Sequence, residues 1–157
     1  GHRREGAAEQ QEGEGEGPRP RLREERGDLG DGAPAEGDGD PAWRLYHAPF
    51  VVLAHDAAPD PVFFYANRLA QALFEMPWAE LVCLPSRLSA EAASRAERQR
   101  LLERVTRQGF IEDYGGVRIS RSGRRFRISG ATVWNLSPEG SAVIGQAASF
   151  SSWVPLV

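Results

Sequence analysis

The sequence predicts an α+β domain: an antiparallel sheet of five strands with helices packed on one face. Three observations predict it. Two short apolar runs, Pro49–Ala54 and Val62–Tyr65, are split by a proline-rich turn. A helical spacing of three to four residues occupies the middle of the chain. From Phe110 onward the period falls to two, with turn formers between the runs. Strands at both ends of a helical middle pack as one antiparallel sheet with helices segregated to one face.

The elements follow in order. Pro49–Ala54 carries β-branched and aromatic residues and reads as a buried strand; His55–Pro61 holds two prolines that forbid its continuation. Val62–Tyr65 is the returning strand. Asn67 is a preferred N-cap, and Leu69, Ala70, Leu73 and Phe74 recur at helical spacing until Pro77 ends the helix near Met76. Pro77–Cys83 is a second short helical turn with Pro at its first position, and Pro85–Ser89 is a polar connector. Ser94 and Glu97 form a capping-box pair for the longest helix, with Leu101, Leu102 and Val105 as its buried stripe and Gly109 as its terminator. Arg95, Arg98, Arg100, Arg104 and Arg107 are assigned to its outer face. Strand alternation then sets Val117 and Ile119 against Arg118. It also groups Phe126, Ile128, Thr132, Trp134 and Leu136 on one face, with Gly130 between them and Arg125, Arg127, Ser129 and Asn135 opposite. Turns at 120–124 and 137–140 separate these strands from a last one, Ala142–Phe150.

The 157 residues suit a single domain, but composition divides the chain. Residues 1–41 form an acidic tail rich in Gly, Glu and Arg, with too little apolar surface to offset chain entropy, and are expected to be disordered. Residues 42–157 hold every aromatic and form the folded domain. All 19 basic residues are Arg, so Schiff-base lysines, P-loop lysines and lysine general bases are excluded. One cysteine, Cys83, excludes disulfide frameworks and CxxC redox pairs. No apolar run is long enough to span a membrane, and no secretory signal is visible, so a cytoplasmic protein is expected.

The order of elements resembles the PAS fold and, more narrowly, the MEKHLA domain family, from about Leu45 to Trp153. The segments that carry the resemblance are Ala48–Asp56, Tyr65–Asn67, Leu73–Met76, Leu84–Glu91, Gly116–Ile128 and Ala131–Asn135. The family occurs as small stand-alone bacterial proteins and as the C-terminal domain of plant class III homeodomain–leucine-zipper factors. This chain, with neither homeodomain nor heptads, looks like the stand-alone type. The resemblance implies a sensory or regulatory module and supplies no reaction. Light-sensing flavin domains of this fold carry Asn-Cys-Arg-Phe-Leu-Gln, whereas here Val82-Cys83-Leu84-Pro85-Ser86-Arg87 lacks the Asn, the adjoining Arg and the Gln. Flavin is therefore not expected, and Cys83 reads as a buried or half-buried structural thiol.

Candidate ligand residues are Tyr65, Asn67, Arg87, Phe126, Gly130, Thr132, Trp134 and Gln146. Gly130 and Thr132 are small members of a bulky face and leave room for an apolar ligand among Trp134, Phe126 and Tyr65, unless Gly130 is a β-bulge. Asn67 is also explained as a cap, and Arg87 pairs either with Glu91 or with an anion. Gln146, if inward, is a buried amide that needs partners. His47 and His55 have no metal-ligand spacing and read as surface or loop residues, so no catalytic or metal site is assigned. Arg118, Arg121, Arg124, Arg125 and Arg127 crowd one hairpin as a basic patch; a solvated face is favoured over nucleic acid because interleaved aromatics are absent. The expected function is small-ligand or protein-partner binding, and the resemblance to the PAS fold implies a homodimer through the outer sheet face as one form of that partner. Enzymatic chemistry at His55, Asp56 and Arg87, or a nucleic-acid role, are the alternatives.

Overall fold

The structure is a computed structural model that describes residues 32–35, 37 and 39–157. The expected disorder of the tail concerns residues that lie, from 1 to 31, outside the described ones. Gly32 and Ala33, inside that tail, pack on the domain beside Trp78. A helix absent from the sequence reading, α1 (Pro41–Tyr46), begins where Asp40 accepts a hydrogen bond from Ala42 N and Pro41 stands at the first position.

Strand β1 (Val51–Asp56) pairs antiparallel with β2 (Phe63–Ala66). Asp56 shapes the turn between them, its Oδ1 accepting from Val62 N at 3.0 Å. Asn67 then caps α2 (Arg68–Phe74), and Glu75 ends it in the left-handed conformation at φ 61°. Next come α3 (Trp78–Leu81), a 3-10 turn (Ser86–Ser89) and the long helix α4 (Ala92–Gln108), closed by Gly109 at φ 92°. Helix α4 starts two residues before Ser94, so the capping box does not mark its N-terminus. Strands β3 (Phe110–Ile119), β4 (Arg125–Leu136), β5 (Gly145–Phe150) and β6 (Ser152–Pro155) complete the fold. The sheet has six strands rather than five, in the order β2-β1-β5-β4-β3, with β6 continuing β5 along the same side of β4 in unbroken register.

Two bulges decide which side chains face the helices. On β4 an extra residue at Ser129–Gly130, with Gly130 at φ 67°, shifts the alternation by one. Phe126 and Ile128 point into the core before it, and Ala131 and Val133 after it. Thr132 and Trp134 therefore lie on the opposite face from Phe126, correcting the single-face assignment. A Cβ at Gly130 would meet open space, so this glycine serves the bulge and leaves no gap under the helices. On β3 a compensating bulge at Glu112–Asp113, with Asp113 at φ 61°, restores the register.

The main core joins Val51, Leu53, Phe63, Phe74, Leu81 and Phe150 between the sheet and α2–α3. A second cluster, Leu101, Val105, Ile111 and Val133, seats α4 on the other end of the sheet. The sheet thus has an inner face under α2 and α4 and an outer face flanked by α1.

Candidate functional site

Helix α4 explains the polar centre of the inner face. Residues 98, 101, 102 and 105 share one helical stripe, so the chemistry that buries Leu101 and Val105 carries Arg98 with them; it is 7% exposed rather than on the outer face. Arg98 Nη2 donates to Ser86 Oγ on the 3-10 turn. That turn is held to the loop entering β2 by Ser86 N donating to Pro61 O at 2.8 Å. Strand β3 brings a second guanidinium. Arg118 stands opposite Phe126, an inward residue, so it too turns inward and is 8% exposed. Its Nη2 donates to Tyr114 Oη at 2.6 Å and its Cζ lies 5.5 Å from that ring's centroid. The expected alternation, Val117 and Ile119 in and Arg118 out, is reversed.

Arg98, Tyr114 and Arg118 line a cavity of about 70 Å³ between α4 and the sheet, with Leu53, Phe74 and Phe150 among its apolar walls. His55 and Gln146 also line it. His55 Nδ1 donates to the Asp56 carbonyl at 2.8 Å, which leaves Nε2 as the ring's acceptor when the ring is neutral. Gln146 donates from Nε2 to Asn135 Oδ1 at 3.0 Å, while its buried Oε1 has no hydrogen-bond partner. His55, Leu102 and Gln146 line in addition a neighbouring groove of about 350 Å³ reaching the 57–61 loop.

Burial pushes the His55 imidazole below its ordinary value of 6.5; the Arg98 charge adds to this, while the Asp56 carbonyl and carboxylate oppose it. The unfolded ring therefore takes up its proton first as pH falls. Stability should decline from about pH 6.5 toward the lower folded value. Arg98, the cation on α4 that faces the ring and is itself pushed down only to about 10, keeps its charge throughout that range. Urea midpoints at pH 7.5 and 5.5 should differ in the native chain and differ less in His55→Gln; an equal drop in both would place the effect elsewhere.

The other sequence candidates are placed apart. Asn67 is fully buried, and its amide is consumed by backbone: Oδ1 accepts from Val52 N and Ala70 N, and Nδ2 donates to Phe50 O and Leu45 O. It is a clamp, with nothing left for a ligand. Arg87 is exposed and pairs with Asp60 at 3.1 Å, not with Glu91. Phe126 stacks edge-on against Phe74 in the core. Tyr65 and Trp134 line a different hollow, about 250 Å³ on the outer face, with Leu45, Val52 and Trp78. Of the eight candidates, Gln146 alone lines the inner cavity.

The arginine hairpin is not one free cationic surface. Arg118 is buried, Arg121 pairs with Glu80 at 2.9 Å, and Arg125 pairs with Glu91 at 2.6 Å. Arg124 lies 3.7 Å from Glu75, whose carboxylate also accepts from Ser122 N and Ser120 Oγ. Those serine hydrogen bonds hold Glu75 below the ordinary carboxylate value. The tip is docked on α2 and α3 through Arg121 N donating to Phe74 O. Cys83 is exposed, contrary to the buried or half-buried thiol expected. Among the described residues no three metal-ligating side chains cluster, and no helix is long and apolar enough to cross a membrane. Asp56 and Arg87, proposed with His55 as an acid–base group, are spent on a turn and a surface ion pair.

The MEKHLA domain model matches residues 31–155. No curated protein is matched by the sequence. Among solved structures the chain is similar to a PAS domain from Colwellia psychrerythraea, with TM-score 0.59 and 10% identity over 69% of this chain and 90% of that one. A light-oxygen-voltage domain described with a flavin analogue gives 0.58 and 13% over 74% and 84%. A PAS domain of a LuxR-family transcriptional regulator from Burkholderia thailandensis, in complex with ethanol, gives 0.54 and 18% over 70% and 95%. The fold is thus the PAS fold. Flavin does not fit this cavity: 70 Å³ is about half the ~150 Å³ that takes benzene in an engineered apolar cavity.

Proposed function

As a member of the MEKHLA domain family with the PAS fold, the chain is, we propose, a sensory or regulatory module that binds a small molecule in the inner cavity. A partner protein, a second copy of this chain included, then reads the outer sheet face. The observation that carries this is the position of β5. Gln146, Ala148 and Phe150 line the inner cavity, and Ala147, between them, lines both that cavity and the outer hollow. A ligand that favours one setting of β5 shifts the population of the surface beyond it. The cavity's size supports a ligand of few atoms, in keeping with the ethanol complex of the LuxR-family PAS domain.

No reaction is assigned, and nucleic acid is not favoured by a hairpin whose guanidiniums are largely paired. A cytoplasmic setting belongs to the same proposal, since the exposed free thiol of Cys83 suits a reducing compartment.

The test is an amide NMR screen of the full chain against short alcohols, amides and acids. A binder should move the Ala148 and Phe150 signals together with those of Trp134 and Leu136, which line the outer hollow alone. Ala148→Phe, which fills the cavity, should abolish the response while the chain stays folded. Shifts confined to the inner residues would overturn the relay, and no binder at all would overturn the reading.

A further inference from the structure

The inner cavity holds two cations and no anion. Arg98 and Arg118 both line it, each more than nine-tenths buried, and among the described residues neither forms an ion pair. Buried charges are normally paired, because removing a guanidinium from water costs more than neutral hydrogen bonds return. Here the compensation is incomplete. Each guanidinium carries five N–H donors; Arg98 uses one on Ser86, and Arg118 uses two, on Tyr114 and the Val117 carbonyl. The two like charges also oppose one another: burial first, and Arg118 second, push Arg98 down to about 10, against smaller opposing contributions from Tyr114 and the Asp60 carboxylate, which lies outside the cavity lining.

Resting on the ligand-binding reading above, we propose that the ligand is a small aliphatic carboxylate of two or three carbons, its carboxylate between Arg98 and Arg118 and its alkyl end against Leu53 and Phe150. The charge count of the lining selects an anion, since a neutral guest would leave both guanidiniums without an ion-pair partner. The planar, two-oxygen carboxylate matches the forked donors of Arg. The apolar walls select an alkyl end over a wholly polar ion such as phosphate, and the 70 Å³ volume excludes aromatic acids. His55 and Gln146 line both this cavity and the neighbouring groove.

The experiment is isothermal titration of the full chain with sodium propionate, 1-propanol and sodium phosphate, each at matched ionic strength in sodium chloride. Propionate should bind at least tenfold more tightly than propanol or phosphate. Arg98→Met and Arg118→Met, which keep side-chain length without charge, should each weaken propionate by tenfold or more and leave propanol unchanged. Arg127→Gln, an exposed position on the same hairpin, should alter nothing. The comparison of the three probes on the native chain stands even if a methionine variant fails to fold. Propanol binding as well as propionate would overturn the anion assignment and leave the ligand-binding reading intact. Phosphate binding as well as propionate would overturn the alkyl requirement alone. Binding of none of the three would overturn this inference, while the wider NMR screen decides separately on the cavity as a ligand site.

Discussion

Asn67→Ala should lower stability by about 3 kcal/mol or more, on the scale of 1–3 kcal/mol for each buried polar group left unpaired. The amide joins three segments at once. It caps α2 through Ala70 N, fixes the start of β1 through Val52 N and Phe50 O, and holds the end of α1 through Leu45 O. Alanine strands two donors and two acceptors around a position where Asn67 is 0% exposed. For a domain whose total stability is ~5–15 kcal/mol, the expected melting temperature falls by about 10 °C or more. Asn67→Asp keeps the acceptor oxygen but loses the Nδ2 donor, and should fall between the two. Urea unfolding of the three chains checks this; a change below about 1 kcal/mol for alanine would show that the clamp is replaceable.

Gly145→Ala should be as damaging by a different route. Gly145 pairs with Asp56 across β1 and β5, and a Cβ there would overlap the His55 carbonyl oxygen and come within 3.2 Å of Asp56 Cα. These are backbone atoms, so relief requires the two central strands to part. Overpacking of this kind costs ~1–3 kcal/mol when side chains can move and more when they cannot. About 3 kcal/mol is expected here. The injury also falls on the cavity, because His55 and Gln146 both line it and would be displaced together. Wild-type urea midpoints in the alanine variant would contradict the close approach.

How much of this was legible beforehand depended on whether a signal is local. Asn67 before an apolar helix and Gly109 after one are short-range signals, and both appear as read. The α+β order followed from periods of two and 3.6. Strand alternation failed at Gly130 because one inserted residue inverts every later side chain, and a glycine in a strand does not announce whether it marks a bulge or a gap. Arg98 failed for another reason: its charge argued for solvent, while its spacing to Leu101 and Val105 placed it on the buried stripe. Spacing prevailed because Ser86 and the cavity receive the guanidinium. Arg118 could be placed only by its cross-strand partner, Phe126, which no single strand reveals. Gln146 was recognised because it lies on a regular strand beyond both bulges.

The compensating bulge in β3 has a consequence for how copies of this chain meet in concentrated solution. Strand β3 is ten residues long and ends the sheet, so its outer side would present a continuous row of peptide donors and acceptors, the template from which strand-on-strand aggregates and fibrils grow. Asp113 at φ 61° breaks that row, with exposed Glu112 beside it and Gly115–Gly116 just beyond. An incoming strand finds two short, misaligned segments and a pair of carboxylates instead of one flat edge. The bulge returns β4 to register on the inside, and on the outside it ends the sheet.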